Sequence, residues 1–342
     1  MMKKVYCLLF AILSFATTHA QIDLSERGTA NCYIVSASGE YRFKAVCGNG
    51  GNEIPDDNIS TCSVLWESFG SNIVPLPGEL IDEVSYSDGY LTLCVSAPFK
   101  KGNALVAAKD NAGQVIWSWH IWLTDMPHEQ EYTDGKVMMD RNLGAISACP
   151  SSHESYGLLY QWGRKDPFLG SCVKDDNIIA TSTAVWPSPQ LSDEYVGTIE
   201  YTIRNPLTFV LYNKRNYDWQ YVQDDLRWGA DKTEYDPCPA GWRVPSNCFN
   251  DCVKYFEHPF VGVGIDFKGK FSKDDSVWFP ATGYRYYYDS TLYSAGLYGS
   301  YWLADVKGYH ASYMFFYFSS GVYPKRSGPR ANAFSVRCVE DK

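Results

Sequence analysis

The side chains able to do chemistry are scattered along this chain. Beyond residue 20 the histidines are His120, His128, His153, His258 and His310, and no two have the His-Glu-x-x-His spacing that holds a catalytic zinc. His120 alternates with tryptophans in WSWHIW and reads as a structural strand residue. Hydrolysis of a glycosidic bond needs two carboxyl groups flanking one cleft. Asp224-Asp225 and Asp274-Asp275 are adjacent, Asp166 lies in GRKDP and Asp305 follows an aromatic stretch. No spacing among them sets two acids across a cleft, and adjacent loop acids read as solvated. The chain has neither a Gly-x-Ser-x-Gly elbow nor a P-loop, and Gly262-Val263-Gly264 reads as a turn. Asp56-Asp57-Asn58 and Asp175-Asp176-Asn177 lack the glycine and closing glutamate of a calcium loop. These patterns predict no catalytic residue, no metal site and no cofactor.

A different chemistry is written in ATGYRYYYDSTLYSAGLYGSYWLAD, residues 281–305. Tyrosine offers a large contact area, two side-chain rotations and a polar tip, while Ser, Gly and Asn add adaptable hydrogen bonding. That mixture is how antibody paratopes bind. Strand alternation sets Tyr287 opposite Tyr286 and Tyr288. Tyr288, Tyr293, Tyr298, Tyr309 and Tyr323 are expected at the surface as the ligand-binding residues. The plainer alternative is that these tyrosines fill a small, loop-rich β core and satisfy their hydroxyls internally.

The elements that would position them follow from patterning. Residues 1–20 read as a secretory signal peptide: Lys3 and Lys4, an apolar run from Val5 to Phe15, and Thr18-His19-Ala20 before Gln21. That run is too short to span a bilayer, and an exported, non-spanning chain is expected. The formal charge is −9, made more negative by loss of Lys3 and Lys4, with no basic stripe. This argues against nucleic acid and against anionic membrane surfaces. Cys7 falls in the leader, and the ten remaining cysteines of the eleven suggest mostly disulfides in an oxidising compartment. Cys32, Cys47, Cys62 and Cys94 could form two staples in the first module.

Residues 21–124 read as an all-β sandwich. Tyr41, Phe43 and Ala45 alternate with Arg42 and Lys44, and Leu91, Leu93 and Val95 with Thr92 and Cys94, so each strand should bury one face. Leu105–Lys109 and Gln114–Leu123 flank a DNAG turn, with Val115, Trp117, Trp119, Ile121 and Leu123 sharing a face. Residues 125–136, polar and acidic around Pro127, read as a linker. The second domain, 137–342, is expected to hold a short helix over Tyr156–Trp162 and a long loop-rich stretch from Leu169 to about Trp228. A second helix should start at Ser246 and bury Phe249, Cys252, Val253 and Phe256. On that helix Cys248 and Cys252 would hold their Cβ atoms about 5–6 Å apart, whereas a disulfide needs about 3.8 Å.

Six blocks occur in order: VMMDRNLG (137–144), GLLYQWGRKDP (157–167), CPAGWRVPS (238–246), FPATGYRY (279–286), GSYWLAD (299–305) and FSVRCV (334–339). Together they resemble the fibrobacter-type major paralogous (FISUMP-like) domain, a C-type-lectin-like module of bacterial surface proteins. With ANCYIVSASGEYRF and the tryptophan hairpin, the whole chain resembles fimbrillin-like surface proteins of Bacteroides-type bacteria. The resemblance implies an α+β C-type-lectin-like domain, two helices on small antiparallel sheets with ligand contacts in an irregular loop region. It also implies a structural disulfide between Cys238 and Cys338, and a core position for Trp302, which lies inside GSYWLAD. Formylglycine-generating enzymes share a lectin-like core and a similar last strand, but they use a reactive cysteine pair shortly upstream. Here no cysteine lies between Cys252 and Cys338. The EPN, QPD and WND motifs of calcium-dependent lectins are also missing. The expectation is therefore an N-terminal all-β sandwich followed by a C-type-lectin-like domain, in a non-enzymatic adhesion protein at the outer cell surface or secreted. It would bind a glycan or surface protein without calcium. The alternatives are a structural subunit whose partners are fimbrial subunits, and a secreted glycan hydrolase.

Overall fold

The computed structural model describes residues 21–342 apart from 56–57, 133, 175, 230, 247–259 and 268–276. Residues 1–20, expected as a leader, the helix expected after Ser246, the Asp56-Asp57 and Asp274-Asp275 pairs, Asp175 and His258 lie outside the described residues. What is described is mostly β-sheet with almost no helix.

The first module holds β1 (Ile22–Asp23), β2 (Cys32–Val35), β3 (Gly39–Lys44), β4 (Thr61–Ser68), β5 (Ile81–Ser87), β6 (Tyr90–Val95), β7 (Gly102–Lys109) and β8 (Val115–Leu123). They form two four-stranded sheets, ordered β1-β3-β6-β5 and β2-β8-β7-β4. Tyr41, Phe43, Leu91, Leu93 and Val95 of one meet Val106, Ala108, Trp117, Trp119, Ile121 and Leu123 of the other in one buried cluster. Outward neighbours Glu40 and Lys44 stay exposed, so β3 and β6 keep the expected alternation.

The second sheet departs from it. In β7 and β8 nearly every residue is buried, on both faces. Leu105 and Trp122, with Cys32 and Trp66, turn away from the first sheet into a second cluster that includes Met139, Leu143, Leu158, Trp162, Trp302 and Phe334. The C-terminal part thus covers the outer face of this sheet. Strands covered on both faces lose the polar positions that make alternation legible.

Beyond β8 come β9 (Glu129–Glu131), β10 (Val137–Met139), β11 (Leu158–Gln161), β12 (Phe168–Leu169), β13 (Gln190–Leu191), the helix α1 (Ile199–Arg204) and β14 (Val210–Leu211). The last third adds β15 (Trp242–Arg243), β16 (Phe260–Val261), β17 (Gly264–Asp266), β18 (Trp278–Pro280), β19 (Tyr284–Arg285), β20 (Leu292–Tyr293), β21 (Tyr298–Lys307), β22 (His310–Tyr317), β23 (Ser320–Pro329), β24 (Ala333–Ser335) and β25 (Val339–Glu340). The largest sheet runs β12-β11-β24-β21-β22-β23, with the β19–β20 hairpin attached through β24. A smaller one runs β15-β25-β10-β9, so the segment expected as a linker contributes a strand, β9, paired to β10.

Three expectations need correction. Residues 156–162 form no helix. A 3-10 turn over His153–Ser155 ends before Gly157, whose φ is +73°, and β11 follows, paired to β12 and β24. Its four side chains are all buried, so they carry no period that separates strand from helix. The stretch expected as loops from Leu169 to about Trp228 holds the one α-helix among the described residues, six residues long and capped by Thr198, whose hydroxyl accepts from Tyr201 N. The third correction concerns the cysteines. Cys32, Cys47, Cys62, Cys94, Cys149 and Cys172 are free. Cys94 points outward from β6, and Cys62 sits in β4 of the other sheet, which keeps these two apart. Burial pushes the Cys47 and Cys62 thiols up to about 11. Cys238 and Cys338 are joined in a disulfide, as the family resemblance implied.

Candidate functional site

The tyrosine-rich stretch folds as a hairpin on one end of the large sheet. Gly283 permits this: its φ is +68°, and a Cβ there would lie 2.4 Å from the Tyr293 carbonyl oxygen and 2.6 Å from Ala295 N. Tyr284 then pairs with Tyr293 and Arg285 with Leu292 across β19 and β20. The strand ends at Arg285, and residues 287–289 turn. The expected alternation over 286–288 is therefore lost, because a turn does not place successive side chains on opposite faces. The Tyr286 and Tyr287 rings lie together, centroids 4.5 Å apart.

Around this hairpin the rings form a continuous belt. Tyr217 stacks on Tyr212 at 5.7 Å and 9°, and Tyr212 on Tyr288 at 5.6 Å and 24°. Tyr287 stands edge-on to Tyr212 and Tyr217. Tyr286 links Tyr287 and Tyr288 to Tyr293 and Tyr284. Tyr284 lies parallel to Tyr298 at 6.5 Å. Tyr298 meets Phe315 and Tyr317, and Phe315 meets Tyr323. Arg326 caps this far end, its guanidinium 4.8 Å from the Phe315 centroid and 5.4 Å from that of Tyr323. Such ring pairs contribute about 0.5–1.5 kcal/mol each beyond burial, so the belt holds its own shape.

The backbone beneath is pinned by hydrogen bonds. Tyr212 N donates to Tyr287 O, Tyr287 N to Asn332 Oδ1, and Ala331 N to Tyr217 O. Arg285, partly buried, donates from Nε to Leu169 O, and burial pulls its guanidinium down to about 10. Tyr217, Ser290 and Ser294 all have φ near +60°. Non-glycine residues rarely adopt that region, and such strain clusters at binding sites. Burial and neighbouring tyrosines push Tyr284 up to about 12. The hydroxyl contact with Tyr286, then burial, does the same for Tyr287. The Asp289 carboxylate raises Tyr293. These three phenols stay protonated at neutral pH and can both donate and accept.

Of the five tyrosines singled out from the sequence, Tyr288, Tyr293 and Tyr323 are exposed and lie in the belt. Tyr298 is also in it, but only half-exposed, because its ring is held between Tyr284, Phe315 and Tyr317. Tyr309 is exposed but stands apart. It occupies the turn between β21 and β22, whose other end carries the paired Tyr298 and Tyr317, about 30 Å away at strand rise. Tyr212 and Tyr217, in the loop-rich stretch, were missed. Their signal was LYNKRNYDW, two tyrosines among polar turn residues.

Among the described residues, the acids considered for catalysis are engaged. Asp166 is buried, accepting from Lys165 Nζ at 2.7 Å and Ser118 Oγ at 2.6 Å. Asp225 accepts from Arg330 and Gln223, and Asp305 pairs with Lys325. His120 is buried, with Nε2 2.9 Å from Asn103 Oδ1, and burial pushes it down to about 3. Among the described residues no three His, Cys, Asp or Glu side chains converge on one point, and no helix is long and apolar enough to cross a membrane. Comparison with protein-family models, with curated proteins and with solved structures returned no match.

Proposed function

We propose that this chain is an exported recognition protein that grips a glycan or a surface protein through its tyrosine belt, without calcium. In this reading the two-sheet N-terminal module is a β-sandwich that serves as stalk or assembly unit. The C-terminal part is a C-type-lectin-like scaffold displaying the belt. One observation carries the proposal: rings from three separate segments, 212–217, 284–298 and 315–323, join through stacked and tilted contacts, and all but the buried Phe315 remain partly open to solvent. A core would have closed over them. Rigid aromatic area of this kind binds at low entropic cost, and truncating a central ring typically costs about 2 kcal/mol or more of binding.

The test is an array of glycans and surface proteins, probed with and without chelator. Wild-type protein should be captured equally in both. Tyr288→Ala combined with Tyr293→Ala should lose capture by about thirtyfold or more, with little change in melting temperature. Unfolding of that variant, or capture that survives it, would remove the proposal.

A further inference from the structure

The stack Tyr217–Tyr212–Tyr288 is the most open part of the belt. Resting on the reading of the belt as the recognition face, we propose that its ligand is an extended glycan chain. The outward faces of Tyr217 and Tyr288 are then sugar-stacking subsites.

Three features of the stack point to sugar. The first is ring-face geometry. Tyr212 is the middle ring, contacted on both sides, and is half-buried. Tyr217 and Tyr288 are the outer rings, 44% and 59% exposed. Among the described rings beyond Tyr212, Tyr217 meets only the edge-on Tyr287 and Tyr288 only the tilted Tyr286 at 6.4 Å, so both outer rings keep ring surface open to solvent. A pyranose has a face lined by C–H groups that lies against an aromatic ring, and a rim of hydroxyls that does not.

The second feature is the rim chemistry. Among the described residues, no protein group hydrogen-bonds the hydroxyls of Tyr212, Tyr217, Tyr288, Tyr298 or Tyr317. Each such hydroxyl donates once and accepts twice. A ligand made of hydroxyls matches both roles along the whole belt. Asp289, exposed next to Tyr288, accepts from Thr291 N and Tyr293 Oη and keeps further acceptor capacity, and Lys214, exposed three residues before Tyr217, adds a donor. A peptide captured by strand addition would instead need a run of unpaired backbone groups. The belt crosses its strands and presents side chains, so it offers rings where a peptide would need a ladder.

The third feature is preorganisation. Tyr217 holds φ +58°, its N–H donating to Asn213 O and its carbonyl accepting from Ala331 N. Asn213 anchors the turn in addition, donating to Asp218 O and Gln220 O while its Oδ1 accepts from Arg215 N and Asn216 N. The Tyr217 subsite is thus fixed before any ligand arrives, which lowers the cost of binding a chain by weak repeated contacts.

Two measurements in EDTA test this. Native gel electrophoresis is run through soluble β-glucan, galactomannan or polygalacturonate. Binding is also measured to immobilised mucin, either intact or enzymatically stripped of its sugars. At least one polysaccharide should retard the protein, and intact mucin should bind where stripped mucin does not. Tyr217→Ala and Tyr288→Ala should each weaken retention about tenfold or more. Tyr195→Ala, an exposed ring outside the belt, should leave it unchanged, and all three variants should keep the wild-type melting temperature. Equal binding of stripped and intact mucin, lost in Tyr288→Ala, would overturn the glycan proposal and leave the belt as a protein-binding face. Binding that ignores both belt variants, or no binding to any probe, would overturn both.

Discussion

At the residue scale two neighbours show how the belt is held. Tyr217 occupies a backbone region that costs most residues energy but that asparagine tolerates. Tyr217→Asn should therefore keep the loop and its melting temperature while removing a ring, so a binding assay run beside a thermal melt separates the two roles. Next to it Asp218 is fully buried, and its Oδ2 has no hydrogen-bond partner. Burial pushes its carboxyl up to about 7, against the opposing pull of Arg330, whose Nη1 is 3.8 Å away, and of Arg227. A folded value above the ordinary 3.8 means the native state holds the proton more tightly. The stabilisation is full below about pH 4 and is lost as pH rises through about 7. Asp218→Asn cannot lose a proton, so relative to wild type it should gain stability between pH 4.5 and 7.5 in urea melts. A constant difference across that range would refute the assignment.

At the element scale the disulfide and the buried strands matter most. Cys238 and Cys338 are 100 residues apart in sequence and tie the segment before β15 to the segment before β25. A loop of that length corresponds to about 4–5 kcal/mol in a chain-entropy account. Cys338→Ser should lower the urea midpoint by a corresponding amount, and reductant should then have little further effect on that variant. Among the strands, β3 and β6 were legible because one face meets water. β11 was not, because Leu158, Leu159, Tyr160 and Gln161 are all enclosed and nothing polar marks a period. The tyrosine hairpin was legible in composition but not in conformation. Its strands are two residues long, too short for alternation to register.

At the scale of the whole molecule, the sheet β2-β8-β7-β4 is shared between two cores. Trp122 is fully buried, donating from Nε1 to Ala145 O, and Trp66 lies in the same cluster. The N-terminal sheets and the C-terminal scaffold should therefore unfold together. Trp122→Ala should cost about 3–5 kcal/mol, and near- and far-ultraviolet circular dichroism should lose signal in one coincident transition. Two separated transitions would show that the shared cluster does not couple them.

Local chemistry, which needs no neighbours from far along the chain, was determined by sequence. The tyrosine enrichment and the strands with one wet face belong to this class. Tertiary structure decided whatever depends on who covers whom. It buried both faces of β7 and β8, left six cysteines unpaired, and made β11 a strand. It also joined Tyr212 and Tyr217 to a hairpin some seventy residues downstream. Burial and ring contact are relations between distant segments, and no local pattern of residue types encodes them.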